Sequence, residues 1–304
     1  MEILELLSGL RTPWLDKMML GVTYLGSEIA FLVVALIIFW CVDKRKGYYI
    51  LSVGFVGTIL NQFMKLWFRV PRPWVLDETF TPVEGAKADA GGYSFPSGHS
   101  QNSVGTFGGI AYTVKSKVIR YGAIALAILV PFSRMYLGVH TPQDVLVGAA
   151  MAIVLIFVLR PLILKNDGKY FPYVIAGMVV LGVGYLLFTE FYPFPADVQA
   201  ENLYDGRKNA YTLVGCILGL LPAYYLDKKW IHFSTAGKWW VQILKVVLGL
   251  GLVLAIKSGL SAPLAALLGE FPGRAVRYFL MVVFAGILWP MTFRFWSKLG
   301  KKAS

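Results

Sequence analysis

The sequence predicts an all-α, polytopic transmembrane helical bundle of about nine spans, and three observations predict it. The chain has 304 residues, 57% of them hydrophobic and 15% charged, against about 25% charged in a soluble domain. Its mean hydropathy is +0.62. Apolar runs close to the ~20 residues that cross a bilayer recur along it, separated by short polar breaks.

The elements follow in order. Residues 1–10 mix Glu2 and Glu5 with leucines, an amphipathic lead-in rather than a cleaved signal. Spans are expected over residues 22–42, 48–68, 99–115, 119–138, 143–164, 171–190, 209–226, 239–260 and 276–297. Pro222 and Pro290 fall inside the seventh and ninth, where a kink is expected. Trp67 and Trp239-Trp240 read as interfacial aromatic belts, and Arg69 as an interfacial anchor.

The net charge is +12, but its distribution argues against a nucleic-acid partner. Basic residues cluster after every odd-numbered span: Lys44-Arg45-Lys46, then Lys115, Lys117 and Arg120, then Arg160, Lys165 and Lys169, then Lys228, Lys229 and Lys238, and finally Arg294, Lys298, Lys301 and Lys302. The positive-inside rule places those loops in the cytoplasm, with the C-terminus there and the N-terminus outside. The alternate loops are more acidic, with Asp77, Glu78, Glu84 and Asp89 in one and Asp197 and Glu201 in another. Cys41 and Cys216 lie far apart in apolar runs, so no disulfide framework is expected. His232 stands alone without a metal-ligand spacing, so neither a metal site nor any other cofactor is expected.

Three short clusters stand out against this background: Lys65 with Arg72-Pro73, Pro96-Ser97-Gly98-His99, and Ser133-Arg134 with His140 and Asp144. All fall at the side opposite the basic loops, so one membrane face gathers them. A phosphate dianion needs positive charge and directed N–H groups, and Lys65, Arg72 and Arg134 offer a point charge and two guanidinium forks. Ser97 and Gly98 stand where a loop enters a helix, and backbone N–H groups at a helix N-terminus attract anions. If the segment is helical, His140 and Asp144 share a face, and the carboxylate then orients the imidazole.

Written as K-x6-R-P, P-S-G-H and S-R-x5-H-x3-D, the clusters resemble the type 2 phosphatidic acid phosphatase (PAP2) superfamily, in order and without a departure, over residues 65–144. That family includes lipid phosphate phosphatases, glucose-6-phosphatase and vanadium haloperoxidases. The resemblance implies that His140 is the nucleophile and forms a phosphohistidine, oriented by Asp144. It implies that His99 protonates the leaving alkoxide and then activates water.

The expected protein is therefore an integral membrane phosphatase of a bacterial inner or plasma membrane, acting on a lipid phosphate or pyrophosphate at the outer face. Undecaprenyl pyrophosphate, phosphatidic acid, phosphatidylglycerol phosphate and a sphingoid phosphate stay open as substrates. So do a lipid phosphotransferase using the same residues and a lipid transporter or binding protein with a vestigial site. Residues 1–166 read as the catalytic core. Residues 167–304 read as an extension that shapes substrate access among membrane lipids or forms a homodimer face. Within it Lys245 and Lys257 stand in or near the eighth span, where charge is costly and often functional.

Overall fold

The structure is a computed structural model that describes residues 1–88 and 90–296. Asp89, Lys298, Lys301 and Lys302, counted above among the loop charges, lie outside the described residues. Every regular element among the described residues is helical. Among the described residues seven helices are long and apolar enough to cross a membrane: Lys44–Leu76, Lys117–Tyr136, Pro142–Leu164, Phe171–Phe191, Ala200–Ile231, Trp239–Leu268 and Glu270–Trp296. The pair Pro13–Tyr24 and Glu28–Val42, bent by 54°, makes up to eight. The bend falls at Gly26-Ser27, where the Ser27 hydroxyl accepts from the Ala30 N–H and restarts the helix as an N-cap.

The third expected span is where sequence and structure differ most. It is a run of short pieces, Gly98–Ser103, a π turn over Val104–Gly108 and Gly109–Thr113. Ser100, Gln101, Asn102, Ser103 and Thr106 are all buried within it. Apolar periodicity marks lipid-facing helices. Here the neighbours are other helices, so small polar residues pack instead.

Two compact units emerge, and each is discontinuous in sequence. The first comprises Met1–Val34, Ile50–Pro161 and Pro193–Gly206. Its core brings Met19, Val83, Ala86 and Ala90 against Tyr136, Leu137 and Val139, with a smaller cluster of Phe107, Ala111 and Ala123. Helix starts in this unit follow their caps. Thr12 precedes Pro13 and accepts from the Leu15 N–H, and Ser116 accepts from Ile119 N–H.

The second unit comprises Ala35–Tyr49, Leu162–Tyr192 and Arg207–Ser304. The Trp40 indole N–H donates to Ala285 O at 2.9 Å, and Trp289 Nε1 donates to Lys245 O at 3.2 Å. Lys44 pairs with buried Asp227 at 2.6 Å. Lys245 is fully buried, with its ammonium 3.5 Å from Ala236 O and 4.5 Å from the centre of the Phe293 ring. Arg274 Nε donates to Thr212 Oγ1 at 2.6 Å, and Arg277 Nη1 donates to Ser261 Oγ. Both guanidiniums thus stitch helices of this unit together. Pro290 follows a π turn over Phe284–Leu288, the local adjustment expected where proline removes a helical N–H. Pro222 instead sits within the unbroken Ala200–Leu226 helix. Neither Cys41 nor Cys216 is in a disulfide among the described residues.

Candidate active site

The motif residues reach the first unit's polar centre from several elements. Lys65 stands on the last turn of the Lys44–Phe68 helix. Arg72 precedes the short helix Pro73–Leu76 as its N-cap. Ser97 caps Gly98–Ser103, accepting from Ser100 N–H at 3.4 Å and from the Ser100 hydroxyl at 2.9 Å. Arg134 lies on the last turn of Lys117–Tyr136. Gly138, at φ +75°, then reverses the chain, a left-handed conformation that favours glycine. A Cβ there would also meet Phe80 Cε1 at 2.8 Å.

His140 is not on the following helix, as the shared-face expectation had it, because Pro142 opens that helix. Thr141 to Asp144 forms a reciprocal cap. Asp144 Oδ2 accepts from Thr141 N–H at 2.8 Å, and Thr141 Oγ1 accepts from Asp144 N–H at 3.4 Å. The contact expected from the four-residue spacing is still made, with His140 Nδ1 3.4 Å from Asp144 Oδ2.

Backbone contacts clamp the clusters together. Ser97 N–H donates to Asp144 O at 2.9 Å. The helix carrying Asp144 passes so close that a Cβ at Gly148 would meet Ser97 O at 2.5 Å. Asn61 Nδ2 donates to Pro96 O at 3.2 Å, tying the second cluster to the Lys65 helix.

Arg72 is held at several points. Nε donates to Gly92 O at 3.0 Å, Nη2 to Gly91 O at 2.6 Å and Nη1 to Val139 O at 2.9 Å. Nη1 also lies 2.9 Å from His140 Nε2. Lys65 Nζ donates to Tyr93 O. Arg134 Nη1 donates to Thr23 Oγ1 at 2.7 Å. His99 stands on the first turn of Gly98–Ser103, where burial first and then Arg134, Arg72 and Lys65 push its imidazole below the ordinary pKa. Lys65, Arg72, Arg134, His140 and Asp144 are buried, while His99 and Gly98 keep partial exposure.

This arrangement decides the chemistry open to His140. Facing a carboxylate, Nδ1 carries the proton and Nε2 keeps its lone pair, with an Arg72 N–H directed at it. Burial pushes the imidazole well below its ordinary pKa, and Arg72, Arg134, Lys65 and His99 add to the effect. A neutral imidazole whose Nε2 lone pair meets an Arg72 N–H, with Lys65 and Arg134 nearby, can attack an electrophilic phosphorus once a phosphate oxygen takes that N–H.

Several partners were not read from the sequence. Ser94, Thr141, Thr23 and Asn61 all hold a motif residue or its neighbour. Thr141 carried a signal, since Thr141-Pro142-Gln143-Asp144 has the capping-box spacing with proline at the first helical position. Ser94, Thr23 and Asn61 carried none that sets them apart from other polar residues.

Known proteins resemble this chain in both of its halves. The PAP2 superfamily model matches residues 45–167, and the model described as PAP2 superfamily phosphatase, transmembrane extension, matches residues 211–302. Phosphatidylglycerophosphatase B of Bacillus subtilis is 32% identical over 164 residues, covering 50% of this chain and 76% of the relative. The chain belongs to the PAP2 superfamily. Undecaprenyl-diphosphatase BcrC of Bacillus subtilis is 30% identical over 160 residues, 51% of this chain and 80% of that protein. Sphingosine-1-phosphate phosphatase 1 of Mus musculus is 26% identical over 293 residues, covering 84% of this chain and 62% of the mouse protein. The crystal structure of a transmembrane PAP2-type phosphatidylglycerolphosphate phosphatase from Bacillus subtilis is 31% identical, covers 52% of this chain and 81% of that one, and has a TM-score of 0.45. This PAP2 protein is thus an integral membrane enzyme of the phosphoric ester hydrolases.

Proposed function

We propose that this PAP2 enzyme hydrolyses a lipid phosphate or pyrophosphate through a phosphohistidine on His140, at the outer face of a bacterial inner or plasma membrane. The observation that carries the reading is the chain Asp144–His140–Arg72, with 3.4 Å from carboxylate to Nδ1 and 2.9 Å from Nε2 to the guanidinium. It presents a nucleophilic nitrogen and a phosphate-binding fork at one point.

Lys65, Arg72 and Arg134 hold the non-bridging oxygens and balance the charge that grows on them, with the Ser97 hydroxyl and the Gly98 N–H as further donors. Nε2 of His140 attacks phosphorus, the P–O bond to the lipid breaks, and His99, protonated once the entering phosphate dianion offsets the three cations, gives its proton to the departing oxygen. His99 then takes a proton from water, which attacks the phosphoryl group. The P–N bond breaks, inorganic phosphate leaves, and His140 returns to its neutral form. Asp144 holds the imidazole and balances its positive charge while phosphorylated.

The relatives bear on the substrate. Their names specify a phosphatidylglycerophosphatase, undecaprenyl-diphosphatases and a sphingosine-1-phosphate phosphatase. The shared chemistry is a phosphate or diphosphate on a long apolar chain. The outward orientation rests on the basic loops, and the membrane on the bacterial relatives. The division of labour proposed is a catalytic core in residues 1–166 and an extension in 167–304 that serves access or self-association. Pro193–Gly206 of that extension groups with the core.

The test is phosphate release by purified protein from phosphatidic acid, phosphatidylglycerol phosphate, undecaprenyl pyrophosphate, a sphingoid phosphate and a soluble phosphate ester. The reading expects release that disappears in His140→Ala and His99→Ala. Turnover near wild type in either folded variant would refute the assigned roles.

A further inference from the structure

Ser94 belongs to none of the three motifs, yet it is fully buried between two of them. Its hydroxyl donates to Asp144 Oδ2 at 2.6 Å, and its oxygen lies 3.4 Å from His140 Nδ1. With the proton given to Asp144, the oxygen lone pairs are left facing Nδ1–H. Two donors, Ser94 Oγ–H and Thr141 N–H, therefore converge on the one carboxylate oxygen that faces the imidazole. Thr141 fixes that oxygen from the His140 side of the chain, and Ser94 fixes it from the opposite loop.

The hydroxyl is not needed to place its own backbone. Ser94 N–H donates to Val70 O at 2.8 Å, and the preceding residue is held separately. Tyr93 O accepts from Lys65, and the Tyr93 hydroxyl accepts from Gln199 N–H at 3.2 Å. The side chain is thus free for the His–Asp pair alone.

We infer that Ser94 is a positioning residue for phosphoryl transfer, which orients Asp144 and, with it, the nucleophilic face of His140. The inference rests on the phosphohistidine reading above. Ser94 touches neither the phosphate cations nor the reacting atoms. Its loss should therefore affect the rate of transfer more than the binding of substrate.

The experiment compares Ser94→Ala, Ser94→Thr, Ser103→Ala and His140→Ala in purified protein, on a soluble phosphate ester across pH. Ser103 is an equally buried hydroxyl of the Gly98–Ser103 helix, bonded at 3.2 Å to Ser100 O rather than to the pair. Ser94→Ala is expected to lower kcat by about tenfold to a hundredfold, the worth of a hydrogen bond to a charged group, with KM within about twofold. It should also move the acid limb of kcat upward. With one donor fewer, the carboxylate stabilises a protonated imidazole better. The other groups facing His140, namely Arg72, Arg134, Lys65 and His99, are unchanged by the substitution. Ser94→Thr should recover most of the rate, and Ser103→Ala should match wild type. Melting of each variant in detergent separates loss of fold from loss of rate.

A folded Ser94→Ala with wild-type kcat and an unmoved acid limb overturns the inference. So does a loss of rate with an unmoved limb that Ser94→Thr fails to restore, since that is the mark of a packing residue. If His140→Ala also keeps turnover, the phosphohistidine reading fails. If His140→Ala is inactive while Ser94→Ala is normal, the role of Ser94 alone fails.

Discussion

Replacing Asp144 by asparagine separates the charge of the carboxylate from its hydrogen bonds. Oδ2 accepts from Ser94 Oγ at 2.6 Å and from Thr141 N–H at 2.8 Å. An asparagine carbonyl in the same place accepts both, so the helix cap and the loop tether survive. The structural cost is the difference between charge-assisted and neutral hydrogen bonds, about 1 kcal/mol. The cost to chemistry is larger. His140 loses the anion 3.4 Å from Nδ1 that fixes its tautomer and balances its charge as it becomes phosphorylated. Carboxylate-to-amide changes at a histidine base elsewhere cost up to ~10⁴ in rate, and here a loss of at least ~10²-fold, about 2.7 kcal/mol, is expected. The assay is steady-state phosphate release from one lipid and one soluble phosphate, paired with thermal unfolding in detergent. Asp144→Asn should melt near wild type with kcat lowered equally on both substrates. A folded variant within threefold of wild-type kcat would refute the reasoning that joins the carboxylate to the nucleophile.

Further outcomes follow from other contacts. Thr23→Val removes the hydroxyl that holds Arg134 at 2.7 Å, and should lower kcat/KM by about tenfold; unchanged kcat/KM would show that Arg134 needs no anchor from this helix. His140 is held below its ordinary pKa by burial first and by neighbouring cations second, and the neutral form is the active one. Activity should therefore persist as pH falls through the ordinary imidazole range near ~6.5 and fail only below it; an acid limb at or above that range contradicts the assignment. Lys44→Met leaves Asp227 buried without its cation. Lys44 is a third exposed, so water offsets part of the ~3–5 kcal/mol that breaking a buried pair costs, and a lowered melting temperature with unchanged KM is expected. For orientation, cysteines at Ala88 and Lys117 in a protein lacking Cys41 and Cys216 should label oppositely with an impermeant maleimide, position 88 from outside; the reverse pattern puts the site in the cytoplasm.

The helical class was legible because lipid imposes it, and long apolar runs leave few alternatives to a spanning helix. The runs around Pro142–Leu164 and Phe171–Phe191 match their expected limits within a residue. The Gly98–Thr113 stretch follows a different rule, since it is packed among helices and carries Gln101, Asn102 and Thr106 inward. The bend at Gly26-Ser27 was missed because the expected span over residues 22–42 ran through Gly26-Ser27-Glu28, a short polar break between apolar stretches. The motif residues were legible because charges and histidines in an apolar chain need partners. Of their supports, Thr141 alone carried a signal. Thr23 lies 111 positions from the arginine it holds, and Ser94 lies 50 from Asp144. A hydroxyl at that separation carries no periodic signature. The backbone carbonyls of Gly91, Gly92, Tyr93 and Val139, which receive Arg72 and Lys65, leave no trace in residue type at all.

The central claim is that phosphorus is bonded to His140 during turnover. Rapid mixing with a phosphate ester of a good leaving group, labelled in phosphorus and quenched in alkali, tests it directly, because phosphohistidine survives alkali while a phosphoserine is eliminated. Wild-type protein should carry transient label on the peptide containing His140. His99→Ala should accumulate more, because the good leaving group needs little protonation while water attack loses its base. His140→Ala should carry none. Label that persists in His140→Ala, or turnover without label in wild type and in His99→Ala, would contradict the account.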